Sequence, residues 1–391
     1  MKLPSFVNDL SLPPVEYHRN LRQWSQEMRN SSPIIWDDDS ANWIVFRYED
    51  VARVQSDYSV FSSEGTVPNG DGNSLIEMDP PRHKQMRSLI TLAFSARTIL
   101  EMTPQIEEIV DSLLERVRQR GEMDWMSEFA NPLPVIVIAR MLGLPEEEWP
   151  QFKKWTDAII NTSPETQDAT LGFGQYFAQA IEERHRNPGG NDILSRLIAA
   201  EVEGRRLNYE ELIGFCFTLF IAGNITTTNV LGNAMLCFNE YPEELERLRQ
   251  HPELAPTAVE EVIRYMGPFR AGPSGLIEGR IAKTTIQLHD QVIQEGDHVQ
   301  VNRLSANFDE RHFPDPVSFD IGRTPNRHQS FGHGIHFCIG APLARLESKI
   351  ALEGLVSKLR NVHLVQDEPL KQAQSLFIFG PQRVPLTFQA A

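Results

Sequence analysis

Cys338 stands just ahead of a predicted helix, inside the run His328 to Glu347, HQSFGHGIHFCIGAPLARLE. Pro342 falls in the first turn of that helix, an early position that proline favours. A thiol so placed lies at the positive end of the helix dipole and faces free backbone N–H groups. Both effects favour thiolate, the form that binds a metal or attacks an electrophile. Gly334 and Gly340 permit unusual dihedrals and close backbone approach, as a flat ligand packed against the loop requires. Phe331 adds an aromatic wall.

Three chemistries compete for this cysteine. A lone Cys at a helix start reads most simply as a small buried residue. A zinc site from His328, His333, His336 and Cys338 lacks the paired C-x-x-C or H-x-x-x-H spacing and has no need of Phe331 or the glycines. The third is a single axial thiolate on haem iron.

Other groupings carry chemical potential too. His83 and Arg87, in DPPRHKQMR, are four apart, so both donors project from one helix face and suit a carboxylate. The plainer alternative is a solvated basic face, as Arg82, His83 and Lys84 alone suggest. Glu261 and Arg264, in EEVIRY, form an i, i+3 ion pair of a kind common on surfaces. In Ile221 to Met235, IAGNITTTNVLGNAM, small residues open a groove, and Gly223 weakens the helix so that water can enter its ladder. The threonine hydroxyls either face that groove or bond back to carbonyls one turn earlier.

These residues must be held by a large frame. The chain has 391 residues, 41% hydrophobic and 23% charged, enough for a sizeable core and unlike a disordered chain. Thirty-seven Lys+Arg against 53 Asp+Glu give a net charge of -16, which repels phosphate backbones and argues against nucleic-acid binding. Three cysteines, Cys216, Cys237 and Cys338, make no disulfide framework and suit a reducing cytosol. No signal peptide is legible at the N-terminus, and the longest apolar run, Leu212 to Gly223, is short for a membrane span.

Val15 to Asn30 has helical spacing, and PIIWDDDSANWIVF reads as a hairpin. Ser62 to Asn73 is a polar, glycine-rich loop. From Pro81 to about Met235 helices follow one another. Glu210 to Leu236, almost without a polar face, is predicted to be a central helix packed all round. PELAPTAVEEVIRYM is another helix. TTIQLHDQVIQEGDHVQV alternates like short strands, FDERHFPDPVSFD is an irregular meander, and a last helix begins near Ala341.

FGHGIHFCIG resembles the haem-binding signature of the cytochrome P450 family, with Phe331, Gly334, Cys338 and Gly340 filling its four places. Glu261 and Arg264 match the family's E-x-x-R pair, and Arg323 in FDIGR matches the arginine that completes that cluster. The resemblance implies a structural role for these three. It implies that Cys338 is the axial ligand, and that His83, Arg87, Arg280 and His336 bind the haem propionates, whose burial demands such compensation. Ala222, Gly223, Thr226 and Thr227 match the oxygen-activation segment, in which Thr226 would hold dioxygen and its water. Ile225 occupies the place of the family's acid, which leaves Asn224 to orient a water. The segment from Arg264 to Arg280 is several residues longer than is usual in the family.

The fold so implied is mainly α with a small β portion, a triangular helix-rich body around a buried haem, with residues 1–391 as a single domain. The implied activity is insertion of one oxygen atom of O2 into an apolar organic substrate, with haem b as cofactor. Nothing resembles a flavin or iron–sulfur domain, so electrons are expected from a separate ferredoxin and its reductase. Such acidic carriers would dock near Arg82, Lys84, Arg345 and Lys349. A cytoplasmic protein without membrane or nucleic-acid partners is expected. Peroxide-driven or non-monooxygenase chemistry, and a non-catalytic haem-thiolate binder, are the alternatives.

Overall fold

The most apolar stretch of the chain forms its longest helix, Tyr209–Glu240, in the computed structural model. That structure describes residues 1–66, 74–160, 164–270, 279–365 and 367–391, without the side chains of Asp157 and Ile160. Asn208 starts the helix with a reciprocal cap: its side chain accepts from the Glu211 N–H, and the Glu211 carboxylate accepts from the Asn208 N–H, each at 2.9 Å. Helices Pro132–Met141, Thr166–Arg186, Ala255–Tyr265 and Ala341–Lys358 pack around it. By length and composition it could also cross a membrane. Here Leu219, Phe220, Leu231, Ala234 and Cys237 are buried against the surrounding helices, as the core helix of a globular body requires.

The helix is continuous through Gly223, so the expected weak point does not interrupt it. A Cβ at Gly223 would lie 2.8 Å from Ile138 Cδ1. The glycine is therefore demanded by close packing on Pro132–Met141.

The expected hairpin is present, Ile34–Asp37 antiparallel to Asn42–Val45 with Ile34 opposite Val45. It opens a five-stranded sheet that continues through His298–Val301, Gly279–Ala282 and Phe61–Ser62. This sheet carries Arg280. A three-stranded sheet joins Glu122–Asp124, Pro385–Ala390 and Leu359–Leu364, so the end of the chain folds back on its first third. The strand Glu122–Asp124 falls where only helices were expected. Three residues between helices carry no period of their own, and their partner lies far along the chain.

Arg270 ties distant segments together. Its guanidinium donates to Val7 O (3.0 Å) and to Gln372 Oε1 (2.5 Å), and it stacks 4.0 Å from the Tyr17 ring centroid. The loop Ser62 to Asn73 and the long strip before Arg280 fall largely outside the described residues.

Candidate active site

The cysteine loop turns through Gly334–His336 and returns so that the Cys338 N–H donates to Phe331 O at 2.9 Å. Gly332 (φ 75°) and Gly334 (φ 68°) take left-handed backbone that side chains disfavour. A Cβ at Gly334 would lie 2.7 Å from Ser56 Cα, a backbone atom that cannot step aside. The room expected there for a flat ligand is thus taken by the helix Tyr48–Ser56. Gly340 has ordinary φ (-82°), and a Cβ there would sit 3.8 Å from Cys338 Sγ. Its contribution is open space beside the sulfur.

Cys338 precedes the helix Ala341–Lys358 as expected, and its side chain is exposed. Burial among surrounding atoms nonetheless pushes the thiol up, against the Gly340 N–H, the Arg303 charge, the Ala341 N–H and the Arg87 charge. Accessible yet poorly hydrated, the sulfur forms the floor of a cleft. The helix start supplies its donors, but the desolvation cost outweighs them in the free thiol.

Two braces fix this loop. Arg264, wholly buried, donates to both Glu261 oxygens at 2.8 Å and to the carbonyls of Asn307, Pro316 and Ser318. Arg323 Nε and Asn326 Nδ2 also reach Glu261, at 3.1 and 3.0 Å. The second brace has no signature in the sequence. Arg345 lies 4.5 Å from the Phe331 ring centroid and donates to both Glu260 oxygens, at 2.7 and 2.8 Å. His328 Nε2 stands 3.2 Å from the same carboxylate. Burial opposes ionisation of Glu260, but the hydrogen bonds from Arg345 and His328 outweigh it and hold its pKa at about 2. Arg345 is therefore neutralised within the loop, and Lys349 pairs with Glu353 at 3.2 Å, which weakens the expected basic docking patch.

His83, Arg87, Arg280 and His336 are brought together. Arg87 donates to Ile335 O (3.0 Å) and Phe337 O (2.6 Å), tying the helix Arg82–Ala93 to the cysteine loop. The His83 and His336 ring centroids are 4.5 Å apart. Burial, together with the neighbouring Arg280 charge, holds the His336 pKa down at about 3. Burial, helped by Arg87 and Arg280, does the same to His83, at about 4. Ser63, not foreseen from sequence, places its Oγ 2.9 Å from His336 Nε2. Asp79 is the nearby carboxylate, and it is engaged by the Ser62 hydroxyl (2.7 Å) and the Ser63 N–H (3.1 Å). His83, 2% exposed, keeps a buried Nε2 without a hydrogen-bond partner. Two guanidinium groups and two neutral imidazoles, one with an orphan nitrogen, suit an anion with several oxygens.

On the central helix, Gly214 and Ala222 are exposed, and Thr218, Ile221, Ile225 and Thr226 are half-buried. Spacings of three and four put these six on one side. Thr226 Oγ1 donates to Ala222 O at 2.7 Å, so its proton is committed and its lone pairs remain. Asn224 is buried about 200° around the helix from Ala222. Thr228 Oγ1 donates to Ala130 O at 3.0 Å and lies 3.4 Å from Asn224 Oδ1. The side chain expected to orient a water in the groove thus packs on the opposite side. No cluster of three or more His, Cys, Asp or Glu suited to a metal exists among the described residues, so His328, His333 and His336 do not join Cys338 in a zinc-type set.

A mainly helical body with a thiol at a helix start, an anion cradle packed against its loop and an open helix face agrees with the haem-thiolate class that the sequence resembles. Comparison with known sequences and structures agrees. The cytochrome P450 family model matches residues 250–388. A putative cytochrome P450, YjiB of Bacillus subtilis, is 42% identical, with 90% of each chain covered. The erythromycin C-12 hydroxylase of Saccharopolyspora erythraea is 35% identical over 94% of each. The crystal structure of CYP109E1 from Bacillus megaterium in complex with testosterone superposes with a TM-score of 0.86 at 39% identity, covering 94% of this chain and 98% of that one. The chain belongs to the cytochrome P450 family. It is a haem-thiolate monooxygenase, an oxidoreductase that incorporates oxygen, with haem b as its cofactor.

Proposed function

We propose that Cys338 would hold the haem iron, that His83, Arg87, Arg280 and His336 would hold its propionates, and that Thr226 would position oxygen and its water. The observation that carries this reading is the cationic cradle with its orphaned His83 Nε2, tied through Arg87 to the loop that presents Cys338. Phe331, Gly334 and Gly340 shape that loop, and Ala222 gives the open helix face its small wall. When bound, the haem supplies oxygen activation. The chain's own work is to hold the thiolate in a dry cleft, neutralise the propionates and move protons near Thr226. Ile225 carries none, and Asn224 is turned away, so water held by the Thr226 lone pairs serves the relay.

The substrate in this reading is a small apolar organic molecule, and relatives are named as an erythromycin C-12 hydroxylase and a cyclomarin C epoxidase. Residues 1–391 act as one domain in the cytoplasm, and a separate ferredoxin-type carrier delivers electrons. A peroxide-driven variant of the reaction is favoured to the extent that no carboxylate lines the open helix face. Turnover with peroxide, compared with turnover on a ferredoxin and its reductase, separates the two.

The test is Cys338→Ser. The reduced carbon monoxide complex of the wild type should show the strongly red-shifted Soret band of thiolate ligation. The variant should lose that band and all oxygenation. An unchanged band would refute the assignment.

A further inference from the structure

Besides Thr226, the open side of the central helix presents one other accessible hydroxyl, that of Thr218. Thr218 lies two turns earlier, about 12 Å away at the helical rise. Its Oγ1 donates to Gly214 O at 2.8 Å, as Thr226 does to Ala222 O at 2.7 Å. Each oxygen therefore spends its proton inside the helix and turns lone pairs outward. A Cβ built on Gly214 meets nothing within 4 Å, so there is open space one turn before Thr218 on the same face. Ile221, Ala222 and Ile225 make the wall between the two threonines apolar. An acceptor in an apolar wall discriminates sharply, because a ligand without a donor leaves it unpaired.

We infer that Thr218 is a specificity-determining residue that accepts a hydrogen bond from a hydroxyl on an otherwise apolar substrate, two helical turns from Thr226. The inference rests on the haem-thiolate reading. The substrate class is thereby narrowed to apolar alcohols over the matching ketones and ethers.

The test uses the haem-loaded ferric enzyme, titrated by its spectral shift with 2-dodecanol, 2-dodecanone and 2-methoxydodecane. Wild type should bind the alcohol roughly three- to tenfold more tightly than the ether, the worth of one hydrogen bond. Thr218→Val should bring that ratio close to one while leaving the ether's affinity unchanged, and Thr218→Ser should restore it. Alcohol oxidation should also scatter over more carbons in Thr218→Val. An alcohol-to-ether ratio unmoved by Thr218→Val, or no preference in wild type, overturns the inference. The carbon monoxide band of each protein is recorded alongside. Its absence would overturn the haem-thiolate reading itself, whereas a normal band with an unmoved ratio would overturn only the role of Thr218.

Discussion

Two charged clusters flank the cysteine loop, and they are built on opposite principles. Around Glu261 the hydrogen bonds are nearly saturated: Arg264 and Arg323 share its carboxylate, and their other nitrogens reach backbone carbonyls. Around His83 two imidazoles are held neutral by burial, and one buried ring nitrogen is left without a bond. A saturated cluster is a finished piece of architecture. An unsaturated one is shaped for something that arrives later.

The sharpest way to break this contrast is to remove one partner from the finished cluster. Glu261→Ala leaves two guanidinium groups facing a buried void, one of them fully buried. The expected loss is about 3–5 kcal/mol, a large share of a domain's stability. Thermal unfolding and haem content of the purified variant measure it. A haem-replete variant with unchanged stability would mean that the two clusters do not differ in kind.

The open cluster predicts a smaller, pH-dependent effect. The folded His83 value of about 4 lies below its ordinary 6.5, chiefly through burial. Between those values the unfolded chain takes up a proton that the folded chain refuses, so stability falls as pH drops through the window. For the haem-free protein this costs at most about 2 kcal/mol at pH 5. Haem propionates should raise the folded value and shrink the loss, and His83→Phe should abolish this residue's share. Urea unfolding at pH 7 and pH 5, with and without haem, decides the matter. Equal acid sensitivity of loaded and haem-free protein would contradict the cradle.

The smallest effect is expected at Ile225, where the fold makes little demand. Ile225→Glu should raise product formed per reduced cofactor consumed and alter the solvent isotope effect. The gain should fall well short of the roughly 100-fold that a positioned proton donor typically supplies, because Thr226 and water already serve the relay. Thr226→Ala should lower the ratio. Identical ratios in all three proteins would show that this face does not control protons.

How much of this was legible in sequence follows from the range of each interaction. Glu261 with Arg264, and His83 with Arg87, lie within one turn of a helix, so spacing alone announces them. The central helix was legible because its apolar run has no competing period. Glu260 with Arg345, Ser63 with His336, and Glu122–Asp124 with Pro385–Ala390 are long-range partners with no spacing rule to betray them. Gly334 was visible as special, but for a different reason, since Ser56 and not a ligand sits against it. Asn224 misled because it neighbours the groove residues in the chain while pointing away from them in space.

The guanidinium of Arg270 has a bearing on how the molecule is assembled during synthesis. It grips Val7 from the beginning of the chain and Gln372 from near its end, while the Arg270 N–H donates to Phe377 O and the Phe379 N–H to Pro268 O. A ribosome delivers Val7 long before Gln372, and contacts so far apart in sequence close late. Pro268 to Arg270 therefore wait, without their final fastening, until Gln372 and Phe377 have emerged. Haem loading before release would meet an unfastened strip, whereas loading after release would meet a clasped one.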